Sequence, residues 1–350
     1  MSVEQVTFLC NRAISLAEDH CLDEARAVLL QAEGLLPGED RRPRGLVKAA
    51  WCRFFDLAGD RRTAARYGRE AIRLLEGHGT VEEAAAAVIY VGSVLNNQGK
   101  YLQALNLFNR ALTLLRGSSD ERLAVLARWG LGASLGFLER YQEARESLLA
   151  AVARSHHLLS LVERGRLQES AGLACLYCGE FARAEAFFSL ALRAFETAGR
   201  IDLIADARNC MGSLQVSAGK WDAARGHYLF TVGLLKEQPL PQLAEAHYEL
   251  SRLEIMAGNV TQAVRHALTA LKVARRVDSD LEVARSMLAL GQALMGLEKY
   301  EAAVPYLERA LAVFRRLHLK PSAVVAEDML KQAERRCRPC AASASSAVSS

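Results

Sequence analysis

The chain has 350 residues, of which 51% are hydrophobic and 24% are charged, and its formal net charge at pH 7 is +4. This composition supplies enough apolar side chains for a continuous core and is typical of an ordinary folded protein, not of a disordered chain. The small net charge argues against a protein that binds nucleic acid through bulk positive charge.

The amino terminus carries no basic segment followed by an apolar one, so the sequence predicts no secretory signal. No uncharged apolar run is long enough to cross a bilayer, which argues against a membrane protein. The 8 cysteines, mostly at helix positions, fit reduced thiols packed in a cytosolic core. We therefore expect a cytoplasmic protein, and the abundance of Ala, Leu and Arg suggests a bacterial source.

Alanines recur along the chain in steps of 39 or 40 residues. They are Ala25, Ala64, Ala104, Ala144, Ala184, Ala224, Ala263 and Ala303. A period of that length indicates stacked supersecondary units.

A second small residue stands twelve positions before each of these alanines. The series is Ala13, Cys52, Gly92, Gly132, Gly172, Gly212, Ser251 and Gly291. A third small residue follows seven positions after nearly every alanine, as in Ala111 and Ala151. Such sites mark where two helices of a hairpin approach too closely for a large side chain.

This pattern resembles the tetratricopeptide repeat family, whose helix-turn-helix unit has a small residue in its first helix and two alanines in its second. The resemblance covers roughly residues 5 to 320 and implies an all-α fold, a right-handed α-solenoid of about eight repeats with a carboxy-terminal capping helix. The family repeat has 34 residues, so the longer period here implies longer helices. HEAT-type repeats share the longer period but lack the three small sites, and they are the second choice.

In chain order, we expect repeats near residues 5–38, 44–78, 81–117, 121–157, 161–198, 201–238, 241–277 and 280–318. A capping helix should follow at 322–336, with Val325, Met329 and Ala333 facing inward, within one domain that spans residues 1–336. Residues 337–350 are rich in Ser and Ala and are predicted to be a disordered tail. Residues 37–45 contain two prolines and should form a linker without helix.

Aromatic residues stand just before the alanines in repeats three to six, at Tyr101, Tyr141, Phe181 and Trp221. We expect each ring to fill the turn of its hairpin.

Residues 41–73 hold ten Lys or Arg against three Asp or Glu. A solvated arginine-rich helix face is the favoured interpretation. The alternative is a surface for an acidic segment of a partner or, less favoured, for nucleic acid.

No catalytic constellation stands out from the repeat background. The phosphate-binding loop pattern is missing, and His156-His157 has no metal-ligand spacing. Two Cys-x-x-Cys pairs, Cys175/Cys178 and Cys337/Cys340, are more than 150 residues apart, so a shared zinc site is disfavoured. We expect no enzyme activity, no metal and no cofactor.

The resemblance implies that the first helix of each repeat lines a concave groove. The groove residues it implies are Arg53, Asn96, Trp129, Glu169, Asn209, Tyr248, Arg252 and Gln292. Amide and aromatic side chains of this kind suit an extended peptide, because amides can bond its backbone and rings can hold its anchors.

We therefore expect a non-catalytic scaffold for a protein or peptide partner. One alternative is a peptide-sensing regulatory module acting on a separate effector or transcription factor. It is suggested by similarity to the bacterial pheromone receptors, which place asparagines on the inner helices as Asn96 and Asn209 would be. Those receptors also carry an amino-terminal effector domain, for which no room is expected here. An enzyme with an unrecognised site is the least favoured alternative.

Overall fold

The computed structural model describes residues 3–18, 21–36, 40–236 and 238–337, and within these ranges every regular element is an α-helix. The first eight helices are α1 (Val3–Glu18), α2 (Leu22–Gly34), α3 (Arg41–Leu57), α4 (Arg61–His78), α5 (Val81–Asn97), α6 (Tyr101–Leu114), α7 (Glu121–Phe137) and α8 (Tyr141–Val152). The others are α9 (Leu161–Tyr177), α10 (Phe181–Thr197), α11 (Ile201–Ser217), α12 (Trp221–Leu235), α13 (Pro241–Met256), α14 (Val260–Arg276), α15 (Asp280–Gly296), α16 (Tyr300–Arg316) and α17 (Lys320–Cys337). The predicted all-α class is confirmed.

The chain divides into two compact units, Met1–Ser160 with α1 to α8 and Leu161–Ser350 with α9 to α17. We call them the amino-terminal and the carboxy-terminal unit. The sequence did not predict this division, because the period of small residues continues across it unchanged.

Within each unit, an odd-numbered helix pairs with the next helix into a hairpin and each hairpin packs on the following one. Each odd-numbered helix also contacts the next odd-numbered one, for instance α11 with α13. The even-numbered helices described here make no such contacts with one another. The odd-numbered helices therefore lie closest together and form what we call the inner wall of each unit. Helix α17 packs on α15 and α16 as the next odd-numbered helix would.

The hairpins close around the small residues. All eight alanines of the first series are fully buried. A Cβ atom added at Gly172 or Gly212 would lie 2.6 Å from a ring carbon of Phe188 or Tyr228, too close for unstrained packing. In both of these repeats, the large side chain that occupies this space stands four positions after the alanine. Gly92, Gly132 and Gly291 are covered in the same way by Phe108, Leu148 and Leu307.

Repeat seven replaces the glycine with Ser251, which is fully buried. Its hydroxyl donates a hydrogen bond of 2.9 Å to the carbonyl oxygen of Ala263 on the second helix of the same hairpin. A polar side chain is tolerated there because its hydrogen bond is satisfied inside the core.

The expectation for the aromatic residues is only partly correct. Tyr101 is buried and stacks on Phe137 of the next repeat, with ring centroids 4.8 Å apart. Phe181 and Trp221 are 42% and 47% exposed, so they do not fill their turns. The residues that correspond to Phe137 are Ser217 and Ala257, which are too small to cover a ring.

Two boundary expectations also need correction. Helix α3 begins at Arg41, inside the predicted linker, because the Asp40 side chain accepts a hydrogen bond of 3.1 Å from the Arg42 amide and Pro43 lies in the first turn. In the capping helix, Val325 is 46% exposed and Ala326 is buried in its place beside Ala333. Residues 37–39 and, apart from Cys337, the predicted tail lie outside the described residues.

Two glycine substitutions test this packing in opposite directions. We expect Gly172→Ala to lower the free energy of unfolding by about 1–3 kcal/mol, because the new methyl group meets Phe188. Gly226→Ala on the exposed face of α12 meets no atom within 4 Å. It should raise stability by about 0.5–1 kcal/mol through helix propensity. Chemical denaturation measures both, and a Gly172→Ala variant as stable as the wild type would contradict the hairpin packing.

Candidate functional site

The residues predicted to line a groove all lie on odd-numbered helices, and they are divided between the two units. Arg53, Asn96 and Trp129 belong to the amino-terminal unit. Glu169, Asn209, Tyr248, Arg252 and Gln292 belong to the carboxy-terminal unit.

In the amino-terminal unit, Arg53 and Asn96 are bonded to residues on neighbouring odd-numbered helices. The Arg53 guanidinium forms an ion pair of 2.9 Å with Glu18, and the Asn96 amide oxygen accepts a hydrogen bond of 2.9 Å from the Ser134 hydroxyl. Trp129 is half-buried on α7.

In the carboxy-terminal unit, Tyr248 and Arg252 act together on α13. The Arg252 guanidinium lies 5.7 Å from the centre of the Tyr248 ring and forms an ion pair of 2.9 Å with Glu249. Tyr248 is half-buried and Arg252 is exposed, so both can be reached from solvent. Gln292 is half-buried on α15.

Asn209 is fully buried instead of standing open on the wall. Its amide nitrogen donates hydrogen bonds of 2.9 Å to the carbonyl oxygen of Gln242 and 3.1 Å to a carboxylate oxygen of Glu245. These bonds tie α11 to α13, so the side chain has a structural role that the sequence did not predict.

Three half-buried acidic side chains, which we call the carboxylate cluster, lie on the inner wall around Asn209. They are Glu169 on α9, Asp206 on α11 and Glu245 on α13. Asp206 accepts a hydrogen bond of 2.9 Å from the Gln242 amide, and a Glu169 carboxylate oxygen lies 4.0 Å from the Cys210 sulfur. Among the described residues, no basic side chain forms an ion pair with any of the three.

This environment disfavours ionisation. Desolvation by the surrounding helices, with a smaller effect of the Glu245 charge, raises the pKa of Asp206 to about 7 against the opposing effects of the Gln242 hydrogen bond and the Arg166 charge. Desolvation and the charge of Asp206 also raise the pKa of Glu169 well above its usual value. Burial on the inner wall therefore disfavours the charged forms of Asp206 and Glu169.

Glu282 on α15 is a further acidic side chain on the inner wall of this unit. It forms an ion pair of 3.1 Å with Arg285, yet desolvation raises its pKa to about 7. The sequence analysis missed Asp206, Glu245 and Glu282. They could have been found, because acidic residues recur on the first helices of repeats five to eight at spacings of 37 to 39 residues.

The basic region of residues 41–73 forms much of α3 and α4. Arg42 forms an ion pair of 2.9 Å with Glu83, so part of the region is structural. Helix α4 exposes Arg61, Arg62, Arg66, Arg69 and Arg73. An arginine-rich solvent-facing helix is thus present, as the favoured interpretation predicted.

Within the described ranges, no group of three or more His, Cys, Asp or Glu side chains is arranged to hold a metal ion. Burial raises the pKa of the Cys10 and Cys52 thiols to about 12, which disfavours their thiolate form. No described helix combines the length and the apolar character needed to span a bilayer.

Residues 242–316 match the model of the tetratricopeptide repeat family. The mitochondrial tetratricopeptide repeat protein 19 homolog of Drosophila melanogaster is 31% identical over 132 residues, or 37% of this chain. The chain spans about a third of the length of that curated relative, 35%.

Solved structures of similar fold cover nearly the whole chain. A Rap protein complexed with competence and sporulation factor has a TM-score of 0.70 at 15% identity, over 96% of this chain and 99% of its own. NprR in complex with its cognate peptide NprX has a TM-score of 0.69 at 13% identity, over 95% and 99%. The Rap conjugation gene regulator of plasmid pLS20, in complex with the Phr* peptide, has a TM-score of 0.53 at 15% identity, over 95% of each chain.

The raised pKa of Asp206 predicts how stability depends on pH. Because its folded-state pKa of about 7 exceeds the ordinary value of 3.8, its stabilising contribution is complete below about pH 3.8 and is lost as pH rises through 7. Asp206→Asn cannot ionise and keeps an oxygen acceptor for Gln242. We expect it to be more stable than the wild type at pH 8 by at least about 1 kcal/mol, a gain that shrinks towards pH 5.

Thermal melting at several pH values measures this difference. Asp206→Glu is the control, because it keeps an ionisable group at the same position and should keep the pH dependence. An Asp206→Asn variant that is less stable than the wild type at pH 8 would contradict the desolvation of this carboxylate.

Proposed function

We propose that this chain, a tetratricopeptide-repeat solenoid of the long-repeat type, is a non-catalytic scaffold that binds an extended peptide segment on an inner wall. The proposal rests on the way the odd-numbered helices pack. They contact one another in series, so their exposed side chains form one continuous surface within each unit. The carboxy-terminal unit offers the richer surface of the two.

The chemistry of that surface supports a peptide ligand. Tyr248 presents a half-buried ring beside the exposed Arg252 guanidinium, a pair of residue types enriched among the anchors of protein interfaces. Gln292 adds an amide that can both donate to and accept from a peptide backbone. Half-buried side chains of this kind lose little conformational freedom when a ligand binds.

The ligands of the structural neighbours support the same proposal. NprR is described with its cognate peptide NprX, and the plasmid pLS20 regulator with the Phr* peptide. The likeness in sequence is low, so it is the shared fold that makes peptide binding the first activity to test.

A second candidate function is a regulatory module that senses a peptide and acts on a separate effector or transcription factor. The neighbour from plasmid pLS20 is named a conjugation gene regulator, which favours this candidate. The exposed arginines of α4 would then be the surface for an acidic segment of the effector. An effector that binds only in the presence of peptide would distinguish a sensor from a simple scaffold.

The proposal also assigns the protein to the cytoplasm of a bacterium. All seven cysteines among the described residues are free thiols, and most are buried, which is typical of proteins kept in a reducing compartment.

Selection of peptides tests the proposed function. A display library of random nine-residue peptides should yield binders whose affinity falls about tenfold or more when Tyr248 or Arg252 is changed to Ala, since both residues would contact the ligand. Fluorescence polarisation with the selected peptides measures the affinities, and melting curves verify that each variant is folded.

Leu229→Ala is the matched control, because Leu229 is 49% exposed on the even-numbered helix α12, away from the inner wall. It should leave peptide binding unchanged. Selected peptides that respond to Leu229→Ala and not to Tyr248→Ala would place the binding surface elsewhere, and a library without binders would refute the proposal.

A further inference from the structure

The carboxylate cluster has an excess of hydrogen-bond acceptors. Glu169, Asp206 and Glu245 contribute six carboxylate oxygens, and only the Gln242 and Asn209 amides donate to them at short distance among the described residues. The neighbouring guanidinium groups of Arg252 and Arg285 are already engaged by Glu249 and Glu282. Arg166 on α9 is exposed and forms no ion pair with a described residue, and it lowers the pKa of Glu169 only through its charge.

An independent feature at the same place points to a missing donor. The amide oxygen of Asn209 is fully buried and has no hydrogen-bond partner among the described residues. The orientation of this amide is fixed, since its nitrogen donates to the Gln242 carbonyl and the Glu245 carboxylate, where an oxygen would be repelled. Buried acceptors are normally satisfied, so an unpaired one beside a cluster of carboxylates requires an explanation.

The excess of hydrogen-bond acceptors extends along the inner wall. One carboxylate oxygen of Glu282 and the amide oxygen of Gln242 are also buried without a partner in the described part of the chain. Three of the unsatisfied atoms on these inner helices are therefore acceptors, beside the buried Nε donor of Arg208 on α11. A ligand that fits must bring several N–H donors and a positive charge.

We propose that Glu169, Asp206, Glu245 and the Asn209 amide oxygen form a binding site for an arginine side chain of the peptide that this inner wall takes up. A guanidinium group carries five N–H donors in a fixed plane and stays charged at any relevant pH. It could therefore donate to more than one of these acceptors at once. A lysine ammonium has fewer donors in a more compact group, so it satisfies fewer of these acceptors.

This assignment rests on the proposed function, because the guanidinium arrives on a bound peptide. It also explains why acidic side chains persist on the inner wall although their burial disfavours the charged form. Their ionisation is restored when a cation binds beside them. The ligand class is thus a peptide with at least one arginine, and it differs from the acidic segment considered for α4.

Pools of synthetic peptides test the site. Each pool consists of nine-residue peptides, acetylated and amidated, with neutral residues at random in the flanking positions and Arg, Lys or Gln in the centre. At pH 8 the arginine pool should bind about tenfold or more tightly than the glutamine pool, as measured by fluorescence polarisation. The lysine pool should fall between them.

The double variant Asp206→Asn, Glu245→Gln should abolish the preference for arginine. Both substitutions keep an oxygen acceptor for the existing hydrogen bonds, and melting curves verify that the variant is folded. Arg166→Gln is a control variant for which the opposite change in affinity is expected. It removes the one unpaired guanidinium that acts on the cluster, so it should strengthen binding of the arginine pool.

The outcomes separate this inference from the proposed function. If all pools bind equally and Tyr248→Ala weakens all of them, the inner wall binds peptides but the arginine site is refuted. If the arginine preference survives the double variant, or the lysine pool binds as tightly as the arginine pool, the assignment is also refuted. If no pool binds at all, both the site and the proposed function are refuted.

Discussion

The close approach of paired helices at small residues is the constraint on which the rest of the structure depends. At Gly172 and Gly212 the space of a single methyl group is already occupied by Phe188 and Tyr228. Because the same contact recurs in successive hairpins, each hairpin presents its first helix at the same place in the stack. The odd-numbered helices then contact one another, and an inner wall forms within each unit.

Much of this fold could be predicted from the sequence, because small residues at a fixed period encode the contact within a hairpin directly. The period does not show which residue of the next repeat covers an aromatic ring. Phe181 and Trp221 were therefore expected to be buried, but the structure exposes them. It also gave no sign of the division after Ser160. Residues 37–45 were expected to be a linker because of their two prolines, yet Asp40 caps a helix that begins at Arg41 and has Pro43 in its first turn.

The candidate site was harder to predict than the fold. Glu169 and Asn209 were assigned to the groove through the family resemblance, which did not imply Asp206 or Glu245. Their importance depends on desolvation and on mutual repulsion, which appear only when α9, α11 and α13 are brought together. A stable wall would not need carboxyl groups whose ionisation is disfavoured at neutral pH, and such local conflicts are expected at functional sites.

Under the proposed function, ligands bind to the odd-numbered helices of the carboxy-terminal unit. Hydrogen–deuterium exchange of the full chain, with and without the arginine-centred peptide pool, measures this placement of the ligand. Added protection of backbone amides is expected in α9, α11, α13 and α15, with α10, α12 and α14 unchanged. Protection confined to the even-numbered helices, or to α4, would contradict it.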